Sequence, residues 1–188
     1  TYLDSNWGTS DTNARNLVDY LRGDPSNEVK NSGSFRNRFN VLGDIVHSSP
    51  LFEEEILYAG GNDGMLHAFD AVDGKELFAY IPSLVFPNLK KLAETNYNHF
   101  YYVDITPTTR NNVVVAGSPI TMLVGGLGKG GRGYYALDIT DADTIGSEAD
   151  LAGRVMWEYS ADTDDDMGYT YGRTTIAETN SSVHPWVV

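Results

Sequence analysis

Short runs that alternate apolar and polar residues, each closed by a glycine-containing corner, dominate the chain from Ile56 onward. The stretch ILYAGGNDGMLHAFDAVDGKELFAY carries Asp63-Gly64 and Asp73-Gly74 between such runs. Asp-Gly accepts positive φ at both corners of a tight turn, so the alternation on either side predicts antiparallel strands near 56–61, 65–70 and 76–80. A second stretch, MLVGGLGKGGRGYYALDIT from Met122, repeats the pattern. Gly60-Gly61 answers to Gly125-Gly126, Ala68 to Ala136 and Asp70 to Asp138, with three residues added in the turn. An aromatic-bearing strand follows each copy, LFAY from Leu77 and MWEY from Met156. A repeated meander needs similar neighbours to bury its faces, which predicts the blades of a β-propeller. The repeat is longer than the roughly 40–50 residues of common propeller units, which implies inserted loops.

Elsewhere the period changes. Ala14, Leu17, Val18 and Leu21 form one apolar stripe at helical spacing. Asp11 or Thr12 can cap that helix, and Gly23 followed by Pro25 stops it. Residues 24–34 read as a polar connector. Val85, Leu89 and Leu92, with Pro87 at the start, predict a short helix near 88–94 between blades. Residues 99–105, 113–115 and 121–125 read as strands, with a turn at Asn111-Asn112. An acidic connector is expected over 141–151, and an acidic, glycine-bearing loop over 162–172. The fold class is therefore all-β dominated: a partial β-propeller with quinoprotein-like blades and short helical insertions. Residues 1–34 are expected to be an N-terminal segment whose helix packs on the propeller. Residues 35–188 are expected to be an incomplete propeller of about two full blades plus parts of others. A closed ring needs at least four blades, so a piece of a larger protein is expected.

Composition narrows the partners. The 188 residues are 41% apolar and 21% charged, as in a folded chain, with a net charge of −13. Duplex DNA and anionic membrane surfaces both need a basic footprint, so nucleic acid and membrane insertion are set aside. Cysteine is absent, which removes disulfides and thiolate metal sites. No signal peptide opens the sequence and no long apolar run occurs.

Several short patterns carry candidate chemistry. Gly126, Gly128 and Gly131 spell a dinucleotide fingerprint, but a strand-like run follows instead of a helix, so a hairpin loop is expected. Lys129 is followed by Gly130, which excludes a Walker A loop. Asp162, Asp164 and Asp166 match the first three acidic positions of an EF-hand loop and are the candidate calcium ligands, although Met167 and Arg173 replace its glycine and glutamate. Asp141, Asp143 and Gly146, and separately Asp11, Asn13 and Asp19, match less of that loop. Arg22-Gly23-Asp24 is an integrin-type tripeptide and the candidate receptor contact, and it also reads as the end of the helix. His47, His67, His99 and His184 are scattered, without HExxH or Gly-x-Ser-x-Gly spacing, so no catalytic residue is expected. His67 is expected to face away from the core. Tyr97, Tyr101 and Tyr102 offer either a binding surface or strand packing.

Taken in order, LVDYLRGD, FRNRFNVLGDIVHSSP, YAGGNDGMLHAFDA, FAYIPSLVFPNL, HFYYVDITP and LVGGLGKGGRGYYALDIT resemble the C-terminal propeller of the PilY/PilC family, the type IV pilus tip and biogenesis proteins. The resemblance implies a secreted, non-enzymatic Gram-negative bacterial protein at the pilus tip or outer-membrane surface. It implies roles in pilus assembly, retraction control, twitching motility and cell adhesion. The implied partners are pilins or minor pilins and a host-cell or abiotic surface ligand, with calcium in an acidic propeller loop. The blade stretch YAGGNDGMLHAFDAVDGKELF also resembles the repeat of quinoprotein dehydrogenases, which bind pyrroloquinoline quinone. That alternative wants vicinal cysteines in many members and a tryptophan face, for which the matching strands supply Trp157.

Overall fold

Two four-stranded antiparallel meanders carry the chain. The computed structural model describes residues 11–183 and 185–188. The first sheet runs in order through β1 (Leu51–Glu53), β2 (Ile56–Gly60), β3 (Leu66–Asp70) and β4 (Glu76–Tyr80). The second runs through β5 (Thr108–Val115), β6 (Ser118–Gly126), β7 (Gly133–Asp138) and β8 (Val155–Ser160). A two-stranded ladder follows, β9 (Ala177–Glu178) with β10 (Trp186–Val187).

The two sheets share one register. Tyr58 pairs with Ala68 and Ala68 with Phe78, while Val124 pairs with Ala136 and Ala136 with Trp157. Each sheet carries a bulge directly after its alanine, between Ala68 and Phe69 and between Ala136 and Leu137. The register corrects the sequence alignment by one position: Gly60 corresponds to Gly126, so two residues rather than three are added in the turn.

Packing follows the same repeat. Tyr58, Ala68, Phe78 and Tyr80 of the first sheet share a core with Leu123, Tyr135 and Leu137 of the second. The face of the second sheet equivalent to Tyr58 and Ala68, namely Val124 and Ala136, packs instead with Ile176, Trp157 and Trp186, beside the third ladder. Each sheet therefore lays the same face against its successor, which is the head-to-tail contact a propeller repeats. Glu158 ties the first pair, accepting from the Tyr80 hydroxyl at 2.5 Å, from the Ser83 amide at 2.8 Å and from the Ser83 hydroxyl.

Helices fill the corners. α1 (Asp11–Leu21) buries Ala14, Leu17, Tyr20 and Leu21, with Tyr20 rather than Val18 completing its stripe. The expected cap at Asp11 lies at the boundary of the described residues. The helix between blades begins earlier than expected. A 3-10 turn (Ser83–Val85), α2 (Phe86–Leu89) and a second 3-10 turn (Lys90–Ala93) run together and bury Val85, Leu89 and Leu92. The acidic connector contains α3 (Glu148–Gly153), whose N-cap Ser147 accepts from the Asp150 amide at 3.2 Å and donates its hydroxyl to the Asp150 carboxylate at 2.7 Å, an N-cap hidden in SEAD.

Three strand expectations change. β1 exists because Glu54 and Glu55 both take positive φ and close a tight turn without Asn or Gly. Asn111-Asn112 is a bulge inside β5 rather than a turn, and Ala116-Gly117 makes the corner instead. Residues 99–105 form no strand. They cross the ends of both sheets, with the Val103 amide donating to Gly61 O at 3.4 Å and the Asp104 amide to Leu127 O at 3.2 Å. Tyr102, Val103 and Asp104 are buried there. A Cβ on Gly60 would lie 2.5 Å from Val103 O, and one on Gly130 only 1.9 Å from Tyr102 O. These two glycines are thus sites of close backbone approach, not merely turn formers.

Candidate functional site

The integrin-type tripeptide is a helix terminus. Gly23, at φ +106°, donates to Tyr20 O at 2.9 Å and Asp24 donates to Asp19 O at 2.9 Å, the paired bonds of a Schellman cap. Arg22 forms an exposed ion pair with Glu148, and the Asp24 carboxylate accepts from the Ser26 amide at 2.8 Å, which lowers its pKa. Each of the three residues already has a local structural task.

The acidic loop is likewise occupied with itself. Asp164 accepts from the Tyr159 hydroxyl at 2.8 Å and from the Asp166 amide at 3.1 Å, while the Asp162 amide donates to the Ser160 hydroxyl at 3.2 Å. Among the described residues no three His, Cys, Asp or Glu side chains converge as a ligand set. As folded, Asp162, Asp164 and Asp166 do not fit a calcium ion, which needs six or more oxygens around one point.

Histidine supplies the surprise. His67 is buried, not outward-facing. Its Nδ1–H donates to Glu76 at 2.6 Å and its Nε2–H donates to Asp63, whose two oxygens both stand at 3.1 Å. Burial alone would lower its pKa, but the hydrogen bonds and charges of Asp63 and Glu76 outweigh it and raise the ring to about 9. Asp63 also accepts from the Gly43 amide at 2.6 Å, so the imidazolium fixes the 41–44 segment against the β2–β3 turn. His47 bonds Asp104 at 2.6 Å, and His99 bonds Asp44 at 2.8 Å. These are anchoring pairs.

A cavity of about 570 Å³ lies where residues 99–101, the β6–β7 loop and residues 169–171 meet at the sheet ends. Buried anchors hold its walls. Thr170 is buried and its hydroxyl accepts from the Leu127 and Gly128 amides, both at 3.1 Å, while donating to Gly133 O at 3.2 Å. This displays Tyr169 and Tyr171, 59% and 63% exposed, with rings stacked at 5.8 Å. Tyr102 is the matching anchor for the other wall. Its amide donates to Asn62 and its hydroxyl to Asn88 O, each at 3.1 Å, leaving Phe100 and Tyr101 at the surface. Of the three tyrosines singled out by sequence, Tyr102 therefore packs and Tyr101 lines a surface, while Tyr97 stacks under Arg36 at 4.2 Å. Lys129 lies 4.1 Å from the Tyr101 ring centre and Lys91 4.5 Å from that of Phe100. Lys91, Phe100, Tyr169 and Tyr171 were not singled out by sequence, and Lys129 entered only in excluding a Walker A loop. The alternation of Tyr169-Thr170-Tyr171 was the available signal, since it places both rings on the side opposite a small polar residue.

Trp157, on which the quinoprotein alternative leans, is packed into the cluster of Val124 and Ala136. No helix among the described residues is long and apolar enough to cross a membrane.

The sequence profile described as the PilY1 beta-propeller domain matches residues 42–187. The type IV pilus biogenesis factor PilY1 of Pseudomonas aeruginosa (strain UCBPP-PA14) is 37% identical over 211 aligned positions, covering 95% of this chain and 17% of that protein. A PilY1 homolog of Xylella fastidiosa (strain Temecula1) is 37% identical over 196 positions, covering 85% of this chain and 13% of its own length. The chain thus spans only a small part of these relatives. Among solved structures, the C-terminal domain of Pseudomonas aeruginosa PilY1 aligns with a TM-score of 0.49 and 37% identity, over 65% of this chain and 22% of that one. With a profile that runs across both meanders and relatives this similar along nearly its whole length, the chain belongs to the PilY1 β-propeller domain family.

Proposed function

We propose that this chain is the propeller portion of a type IV pilus biogenesis protein and works by contact rather than by chemistry. On this reading it meets pilins or minor pilins at the pilus tip or outer surface of a Gram-negative bacterium. There it favours assembly over retraction, supports twitching motility and attaches the pilus to a surface. The single observation that carries the reading is the family profile over 42–187, which covers both register-matched sheets. The relatives' names supply the pilus connection, and the buried His67, held between two carboxylates, supports a structural use of that titratable group.

The test is an in-frame deletion of codons 42–187 in the source bacterium, with and without its retraction motor. Surface pili are expected to disappear when retraction operates and to return when the motor is removed. Unchanged piliation and twitching would overturn the reading. Two finer parts carry their own tests. Calcium at Asp162, Asp164 and Asp166 requires the loop to rearrange so that the carboxylates converge. Calorimetric titration of calcium against the wild type and Asp164→Asn checks it, and heat that survives the substitution removes that site. A receptor role for Arg22-Gly23-Asp24 requires Arg22 to leave Glu148, and integrin binding that persists in Asp24→Ala removes it.

A further inference from the structure

The larger cavities open on the faces of the sheets: the first is lined by His67, Phe69 and Leu77 of the first sheet, the second by Tyr134, Trp157 and Tyr159 of the other. Those faces are the ones a head-to-tail repeat uses for stacking. The cavity at the sheet ends is different, because its walls are loops held by the buried anchors Thr170 and Tyr102. Its size lies within the roughly 300–1,000 Å³ usual for small-ligand sites. Isolated exposed aromatic residues are ordinary, but a group of them on rigid walls marks a contact surface.

Charge selects the occupant. The chain carries 26 Asp and Glu, yet none lines this cavity. Lys91 and Lys129 both point over its rings, and among the described residues neither has a carboxylate partner. Asp44, half-exposed, bonds His99 of the cavity wall at 2.8 Å. The Asn88 side chain and the exposed tyrosine hydroxyls add neutral hydrogen-bonding groups. The arrangement offers flat aromatic faces, a few polar groups and two ammonium ions within an otherwise acidic protein.

We propose that this cavity binds a carboxylate-bearing pyranose sugar of a polysaccharide. The apolar C–H face of the ring lies on Tyr169, Tyr171 or Tyr101, the carboxylate meets Lys91 and Lys129, and the hydroxyls bond Asn88 and the tyrosines. A single carboxylate matches two cations, whereas a polyanionic nucleic acid strand would extend beyond them into the field of a chain with net charge −13. The walls are already ordered, so binding does not have to order them. The proposal supplies a ligand class for the attachment part of the reading above and rests on that part only.

The test is saturation-transfer NMR and calorimetry on the full chain. The probes are a sialyl trisaccharide, a hexuronate trisaccharide, the carboxyl-reduced form of each, tetraglutamate and an oligothymidylate. At least one acidic sugar is expected to bind with a dissociation constant of roughly 1 mM or tighter, and its reduced form about tenfold more weakly. Sialyl binding alone points to animal-cell glycans as the source, and hexuronate binding to acidic plant or bacterial polysaccharide. Lys129→Ala and Tyr171→Ala are each expected to weaken binding by about tenfold while leaving the unfolding midpoint unchanged, because both side chains are exposed. Equal affinity for the reduced sugars, tighter binding of tetraglutamate or oligothymidylate, or no saturation by any acidic sugar overturns the proposal. Insensitivity to both substitutions does so as well. Loss of sugar binding with normal piliation would remove the pocket but not the pilus reading, and the deletion strain tests the latter without any sugar.

Discussion

His67 makes the first sheet sensitive to alkali. Its ring, 4% exposed in β3, donates to Glu76 at 2.6 Å and to Asp63 at 3.1 Å, and stacks on Phe69 at 5.7 Å. The two carboxylates hold its pKa at about 9 despite the opposing effect of burial, whereas in the unfolded chain it titrates near the ordinary ~6.5. The folded state therefore binds the proton more tightly. Its contribution is complete below the unfolded value and is lost as pH rises through the folded one. That difference corresponds to roughly 3 kcal/mol of stability by linkage, a large share of the ~5–15 kcal/mol of a typical domain.

Urea unfolding followed by tryptophan fluorescence, stepped from about pH 6 to about pH 9.5, measures it. His67→Gln is expected to be less stable than the wild type at the acid end, with the gap closing toward the alkaline end. Subtracting one curve from the other cancels the remaining histidines. No cysteine titrates in this window, and burial pushes Tyr58, Tyr80, Tyr102 and Tyr135 up and out of it. A gap that stays constant or widens with pH would refute the bridging imidazolium.

Three further experiments probe the frame. Gly130→Ala drives a Cβ to 1.9 Å from Tyr102 O and is expected to cost more than about 2 kcal/mol in urea, whereas Gly153→Ala, which meets nothing within 4 Å at the end of α3, should be neutral or stabilising by about 0.5 kcal/mol. Glu28 is buried and bonded to Arg38 at 2.9 Å and Lys30 at 2.8 Å; burial opposes its ionisation, but those partners bring its pKa down to about 2. Glu28→Gln should cost about 3–5 kcal/mol near neutrality, and in acid titration its gap from the wild type should close as pH falls from the ordinary carboxylate range toward about 2. Glu158→Ala leaves the buried Tyr80 hydroxyl without its acceptor and should cost roughly 2 kcal/mol, with the Glu158→Ala, Tyr80→Phe double variant recovering part of it in a thermodynamic cycle.

The meanders were legible because their corners are chemically marked. Asp63-Gly64 and Asp73-Gly74 sit between alternating runs, and the second copy keeps its Ala and Asp at the same spacing. The turn at Glu54-Glu55 was illegible because its φ values are imposed by the strands it joins and by tertiary bonds, such as Glu53 accepting from Thr109 at 2.7 Å. Residues 99–105 have strand composition but no neighbouring strand; they meet the sheets at their ends, a relation that no local period encodes. His67 was placed outward by alternation, which cannot register that Asp63 and Glu76 close over the same face. The cavity was the least legible part, since its lysines and aromatic rings come from four segments brought together by the crossing of Tyr102 and the anchor of Thr170.

The direction of stacking explains why contact chemistry belongs at the sheet ends. In a head-to-tail series the Tyr58–Ala68 face of one sheet is committed to the Leu123–Leu137 face of the next, and the Val124–Ala136 face to Ile176 and Trp186. A substitution on either face changes packing first and recognition only indirectly. Turns and crossings are free of that duty, but free loops are usually mobile and bind at an entropic cost. Here the crossing segment is sewn to both sheets through Gly61 and Leu127, and Thr170 pins the tyrosine pair to the β6–β7 loop. The same close approaches that force Gly60 and Gly130 to lack a side chain therefore make the surface above them rigid. In this fold, then, the glycines of the repeat prepare a recognition surface as much as they turn the chain.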